Sequence, residues 1–137
     1  MALNPKTAVA RRNAMLDNCL ANANSGFLRI YDGTQATDAD TALGAQVLLA
    51  ELTMNATAFA SASAGSATAN AITADSSANA AGTASFGRYF KTGGVTACFQ
   101  GLCALTSGGD LNIATSLSIS LGANVSCSAA TITMPRE

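Results

Sequence analysis

The segment Phe27–Gly33 (FLRIYDG) constrains the fold more than any other part of the chain, because neither of its faces is polar. Extended, it places Leu28 and Ile30 on one side and Phe27, Arg29 and Tyr31 on the other. Both faces then need a cover. A core suits Leu28 and Ile30, and the stretch just before this strand, or a sister subunit, is the candidate for the other face.

That preceding stretch reads as a helix. Asn4 and Pro5 suit an N-cap and a first helical position, Lys6 to Asn22 holds neither Gly nor Pro, and Asn24–Gly26 suits a C-cap. Ala8, Met15, Leu16, Cys19 and Leu20 gather on one side of it. It either caps the sheet or reaches a neighbouring subunit. After the strand, a connection from Gly33 to Ala45 carries Asp38 and Asp40, and Gln46–Met54 forms a second strand with Leu48, Ala50, Leu52 and Met54 on one face.

From Asn55 to Gly82 the chain is almost entirely Ala, Ser, Thr, Asn and Gly; Phe59 and Ile72 are the large apolar residues and Asp75 the one charge. Disorder of this length would carry more charge and proline. The alternation at 57–61 and 70–73 predicts two thin strands joined near Ala64–Ser66, ordered but weakly specified in register.

The clearest hairpin is 83–92 with 95–101 around Gly93-Gly94, which sets Phe90 opposite Ala97 and Arg88 opposite Phe99. Arg88 then sits among phenylalanines, as a cation–π contact, an interface anchor or a side chain snorkelling along an apolar rim. Turns at Ser107–Asp110 and Gly122–Asn124 bracket an alternating run, Leu111 to Leu121, with Leu117, Ile119 and Leu121 on one face. Val125, Cys127 and Ala129 continue an inward set, but Ile132 and Met134 fall on the other parity, so a β-bulge or bend is expected at Ala129-Ala130 before Pro135 ends the strand.

The sum is a mainly β fold: an antiparallel β-sandwich or jelly roll of about seven or eight short strands with a short N-terminal α-helix. The 137 residues suit a single domain, with 1–26 a helical arm and 27–137 the sandwich.

Charged residues are 11 % of the chain, against roughly 25 % in ordinary domains. So little charge favours association. A net charge of −1 offers no basic field for nucleic acid, and no apolar run is long enough to span a membrane as a helix. Residues 1–20 lack the apolar core of a signal peptide, which makes the cytosol the expected compartment and Cys19, Cys98, Cys103 and Cys127 small buried apolar residues rather than disulfides. No histidine is present, which excludes Ser-His-Asp and Cys-His nucleophile systems and weakens any zinc site. Asp38 and Asp40 alone are too few ligands for a hard cation. No cofactor, metal or catalytic residue is expected, and an enzyme is not the expectation.

The segment Phe27–Gln35 (FLRIYDGTQ) resembles a motif of a family of small virion proteins of tailed bacteriophages. The likeness continues through 41–52, 70–77, 82–85, 88–91, 107–112 and 132–136, nearly the whole chain; Ala36 stands where the family has proline. The resemblance implies a structural protein of the particle, foremost a head decoration or cement protein. Such a protein is made in the host bacterial cytoplasm, sits on the outer capsid surface against the major capsid protein, and is expected to form a homotrimer, with neither nucleic acid nor membrane as partner. A neck, tail-tube or tail-tip component and a particle-surface carbohydrate-binding module are the alternatives. The expected contact residues are Arg11, Arg12 and Met15 on the helix, Arg29 and Tyr31 on the first strand, Asp38 and Asp40 in the loop, and Arg88 and Phe90 on the hairpin.

Overall fold

The computed structural model describes residues 8–134. It is mainly β. A helix α1 (Val9–Leu20) and a 3-10 turn (Ala21–Ala23) precede nine strands: β1 (Phe27–Tyr31), β2 (Leu48–Thr53), β3 (Ser66–Thr68), β4 (Gly82–Thr83), β5 (Phe86–Phe90), β6 (Ala97–Leu105), β7 (Leu111–Ile113), β8 (Ser118–Ile119) and β9 (Cys127–Thr133). Seven form one sheet in the order β2-β1-β5-β6-β7-β9-β3, and β4 pairs with β8 in a small second sheet.

The main sheet is mixed rather than wholly antiparallel, since β6 and β7 run parallel with Cys103 beside Leu111 and Leu105 beside Ile113. Parallel neighbours normally need a long crossover. Here the short link Thr106–Asp110 doubles back over β6 instead. Thr106 adopts a left-handed φ of 60°, Asp110 Oδ2 accepts the Leu102 amide at 3.0 Å, and a Cβ on Gly109 would lie 2.8 Å from Ala104 Cβ. The expected single strand 111–121 is therefore split between the two sheets, and Leu121 is left exposed.

Leu28 and Ile30 are completely buried. They meet Leu111 across Gly87, where a Cβ would fall 2.2 Å from Leu111 Cδ1, 3.1 Å from Leu28 Cδ1 and 3.2 Å from Ile30 Cδ1. Leu49, Leu52, Ile113 and Val125 join this core, as do the rings of Tyr89 and Phe59. Burying each such large apolar side chain contributes about 1.5–3 kcal/mol.

Three bulges set the register. At the first, Ile30 faces Ala50 but Tyr31 faces Leu48, so Leu49 is the extra residue and both Leu49 and Ala50 point inward. At the second, Phe90 faces Ala97 as expected, but Tyr89 faces Phe99, and Arg88 therefore faces Gln100 rather than Phe99. Cys98 is the inserted residue. At the third, Asn112 faces Ala129 and Ile113 faces Cys127, leaving Ser128 unpaired with its hydroxyl on Asn112 O at 3.0 Å. The change of parity thus falls just before the expected place: Ala129 is exposed, while Ala130 is fully buried.

The small-residue stretch is edging for the sheet. Thr73 pairs with Thr53 on the outer edge of β2, Asp75 Oδ2 accepts the Glu51 amide at 2.9 Å, and the Asn79 amide reaches Leu49 O at 2.7 Å. Asp75 also bridges to Val125, just before β9, so this segment ties together opposite ends of the sheet. Beyond β3, residues 58–60 form an irregular partner, with Ala60 N–Thr68 O and Asn70 N–Ala58 O both 2.9 Å. The turn that joins them, Ala64-Gly65, has positive φ at both residues, as the sequence placed it.

Helix α1 buries Arg12, Leu16 and Leu20, one face at four-residue spacing; Met15 and Cys19, expected on that side, are exposed. The expected cap at Asn4-Pro5 lies outside the described residues. Within them the cap position is Ala8, with no side-chain bond, no acid in the first turn and no base in the last. A helix of this length without an N-terminal side-chain cap is marginal alone. Polar side chains on it and just after the 3-10 turn hold it: Asn13 Oδ1 accepts the Gly65 amide at 2.8 Å, Asp17 Oδ1 the Ala62 amide at 2.6 Å, and Asn24 Oδ1 the Ala58 amide at 2.8 Å. At the exit Ser25, not Gly26, takes the left-handed conformation (φ 53°). Gly26 is needed for space, since a Cβ would be 2.0 Å from Phe90 O.

Candidate functional site

The face of the sheet opposite the core carries a row of polar residues across four strands: Glu51 on β2, Arg29 on β1, Arg88 on β5 and Gln100 on β6. Arg29 Nε bonds Glu51 Oε2 at 2.6 Å, its Nη1 reaches Gly94 O at 2.9 Å, and its guanidinium lies 4.5 Å from the Phe90 ring centroid. A parallel row contains Tyr31 and Phe86, whose rings stack at 5.4 Å, and then the half-exposed Leu102. Burial pushes the Tyr31 phenol above its ordinary range, against the opposing pull of Arg29.

The cover for this face is the 33–47 loop, not the helix, which packs on the core side with Leu16 and Leu20. The loop is pinned at its base, where Asp32 Oδ1 accepts the Val47 amide at 2.9 Å and Gln46 Nε2 donates to Thr34 O at 2.6 Å. Its far side is strapped down by the sheet. Arg88 Nη1 donates to Thr41 O at 2.9 Å, Arg88 Nη2 to Asp38 O at 3.2 Å, and Gln100 Nε2 to Ala36 O at 2.6 Å.

The two loop carboxylates are exposed, and Asp38 is engaged locally. Its Oδ1 accepts the Thr41 hydroxyl at 2.8 Å and the Thr41 amide at 2.7 Å, and these bonds hold its carboxyl below the usual range. Among the described residues no cluster of three or more His, Cys, Asp or Glu could hold a metal ion.

The expected contact residues divide sharply. Arg11, Met15, Asp38 and Asp40 are exposed, and Arg29 keeps about a quarter of its side chain accessible, 23 %. Arg12 (5 %), Tyr31 (6 %), Arg88 (4 %) and Phe90 (7 %) are buried inside the chain. For these four the choice by exposure is corrected: α1 turns Arg12 toward Gly65, where a Cβ would lie 3.0 Å from its Nη1, and the loop lies over Arg88. The sequence reading missed Glu51, Thr41 and Gln100, which complete the row and the strap. Glu51 faces Arg29 once 27–31 and 48–53 are paired, a signal that alignment of the two strands contains.

The cysteines are also corrected in part. All four are free thiols, with Cys19 exposed and Cys98, Cys103 and Cys127 partly buried. Burial, reinforced by nearby Cys127 and Asp110, raises the Cys103 thiol to about 12.

No family model, curated protein or solved structure matches the chain. No helix among the described residues is long and apolar enough to cross a membrane.

Proposed function

We propose that this chain is a structural protein of a tailed-phage particle, a decoration protein that binds the outer surface of the head and reinforces the joints between major capsid subunits. The reading rests on the resemblance of the 27–35 segment and its continuation along the chain. One observation carries it further: the polar groups of that segment are used for scaffolding. Arg29 joins Glu51 and Gly94, Asp32 closes the loop base onto Val47, and Gly33 turns the chain at a φ of 82°. A motif used this way positions a loop and a face, as a protein that adds buried area to a shell requires. An interface of about 800 Å² per partner suffices for stable attachment, and many copies act cumulatively. A homotrimer is the proposed oligomer.

The carbohydrate-binding alternative has less to work with. Trp is absent, and both tyrosines, Tyr31 and Tyr89, are buried. A neck or tail component is separated by stoichiometry. Quantitative mass spectrometry of purified particles should find the chain in head-scale abundance, comparable with the major capsid protein, and particles lacking it should release DNA at lower temperature. Confinement to a few copies in the tail would overturn the head assignment in favour of the tail reading.

A further inference from the structure

Between α1 and the 57–61 segment runs an open cleft of about 230 Å³, with Asp17, Leu20 and Asn24 on the helix side and Thr57, Phe59 and Ser61 on the other. The main chain gives this cleft its character. Phe59 pairs with Ala69 as a non-hydrogen-bonded pair, because the bonds run through its neighbours: Ala58 O accepts the Asn70 amide and the Ala60 amide reaches Thr68 O. In such a pair the residue's own N–H and C=O point away from the partner strand. Those of Phe59 therefore face out of the sheet on the side toward α1, and among the described residues they make no hydrogen bond.

On either side of this position the edge is closed. Asn24 occupies the Ala58 amide and Asp17 the Ala62 amide. Between these two occupied amides, the main-chain N–H and C=O of Phe59 and of Ser61 are left without a hydrogen bond among the described residues. The Phe59 ring is locked in the core, with its centroid 5.7 Å from that of Tyr89 and 5.9 Å from that of Phe99, so the open main-chain pair is held in place before anything binds.

We infer that this cleft binds an extended peptide segment of a partner protein by strand addition, with one ligand residue exchanging both main-chain hydrogen bonds with Phe59 and a neighbouring Lys or Arg reaching Asp17. Strand addition takes affinity from main-chain bonds and specificity from flanking side-chain contacts. Asp17 is the ionisable side chain of the cleft lining, and its Oδ2 makes no hydrogen bond among the described residues. That selects a basic segment over an acidic one. The occupied amides of Ala58 and Ala62 confine the open stretch to 59–61, which limits how far a ligand can slide, unlike a long bare edge. The inference does not depend on the particle assignment above.

The test uses the full chain and end-blocked, fluorescein-labelled peptides of alternating threonine and valine with a central lysine, glutamate or glutamine. Fluorescence anisotropy should show saturable binding of the lysine peptide and at least tenfold weaker binding of the glutamate peptide. Asp17→Asn keeps an acceptor for the Ala62 amide and should erase the lysine preference. N-methylation of the peptide at one backbone position should abolish binding while methylation at its neighbours is tolerated. Amide resonances of 57–62 and of α1 should shift with the lysine peptide. The inference is overturned if no peptide binds at millimolar concentration while the amide spectrum shows the folded chain. It is equally overturned if binding ignores N-methylation, or if the same resonances shift with protein concentration alone, which would make a second copy the occupant.

Discussion

Arg29 and Arg88 stand directly opposite each other on β1 and β5, two cations side by side on one face of the sheet. Like charges in that position normally destabilise a strand pair. The conflict is resolved by dividing their partners. Arg29 turns to Glu51 and Gly94, whereas Arg88 is held by three neutral oxygens, Thr41 O, Asp38 O and Gln100 Oε1. Arg88 Nε has no partner among the described residues.

The two arginines should therefore respond differently to removal. Arg88→Ala removes a buried side chain and its three hydrogen bonds and should cost about 3 kcal/mol in urea denaturation. It should also release 36–41, seen as faster amide exchange there. Arg29→Ala loses a partly exposed ion pair and a cation–π contact, about 1 kcal/mol together. Arg88→Lys should not restore protection of the loop, because one ammonium cannot span the oxygens a planar guanidinium reaches. Equal costs for the two alanine variants would contradict this division.

Tyr89 is completely buried, its hydroxyl has no partner among the described residues, and burial pushes its phenol well above the ordinary range. An unpaired buried hydroxyl is a cost to the folded state. Tyr89→Phe should keep the ring contacts with Phe99 and Phe59 and leave stability unchanged or raise it by about 1 kcal/mol. A clear loss of thermal stability in calorimetry would mean the hydroxyl has a partner after all.

Gly87 is where three core side chains converge, and its substitution should be felt at once. Gly87→Ala drives a methyl into Leu111 and should cost about 1–3 kcal/mol through overpacking. Gly87→Ala combined with Leu111→Ala should recover part of that loss, a non-additivity that a double-mutant cycle measures. Simple additivity would place the strain elsewhere.

Cys103 predicts a decline in alkali. Its thiol is raised from 9 in the free state to about 12 in the fold. Above pH 9 the unfolded chain loses this proton while the folded chain keeps it. The contribution is therefore intact below about pH 9 and falls away as pH climbs toward 12. Cys103→Ala should flatten this part of the stability–pH curve. In native labelling at pH 8, iodoacetamide should reach the exposed Cys19 well before Cys103; the reverse order would refute the burial assignment.

Much of the architecture was readable from residue pattern. The 27–31 strand, its inward Leu28 and Ile30, the Ala64-Gly65 turn and the mainly β class all follow from alternation and turn chemistry. What could not be read has a common physical origin. A bulge inserts one residue and reverses which face every later residue occupies, so Cys98 moved Arg88 from Phe99 to Gln100. Polar residues at buried positions, such as Arg12 and Arg88, look like surface residues until the loop or strand that lies over them is placed. The partner groups for Arg88 are main-chain carbonyls, which carry no sequence signature.

The edging by 57–63 and 73–79 and by the polar side chains of α1 bears on how copies of this chain can meet. Main-chain pairing is indifferent to sequence: a bare edge would let one copy template the next without limit. Here nearly all of that capacity is used up inside a single molecule. Recognition between whole copies, or between a copy and any flat partner, is left to matched side-chain surfaces. Such contacts are finite, reversible and alterable by a single substitution, so the number of molecules in an assembly is set by geometry and not by supply.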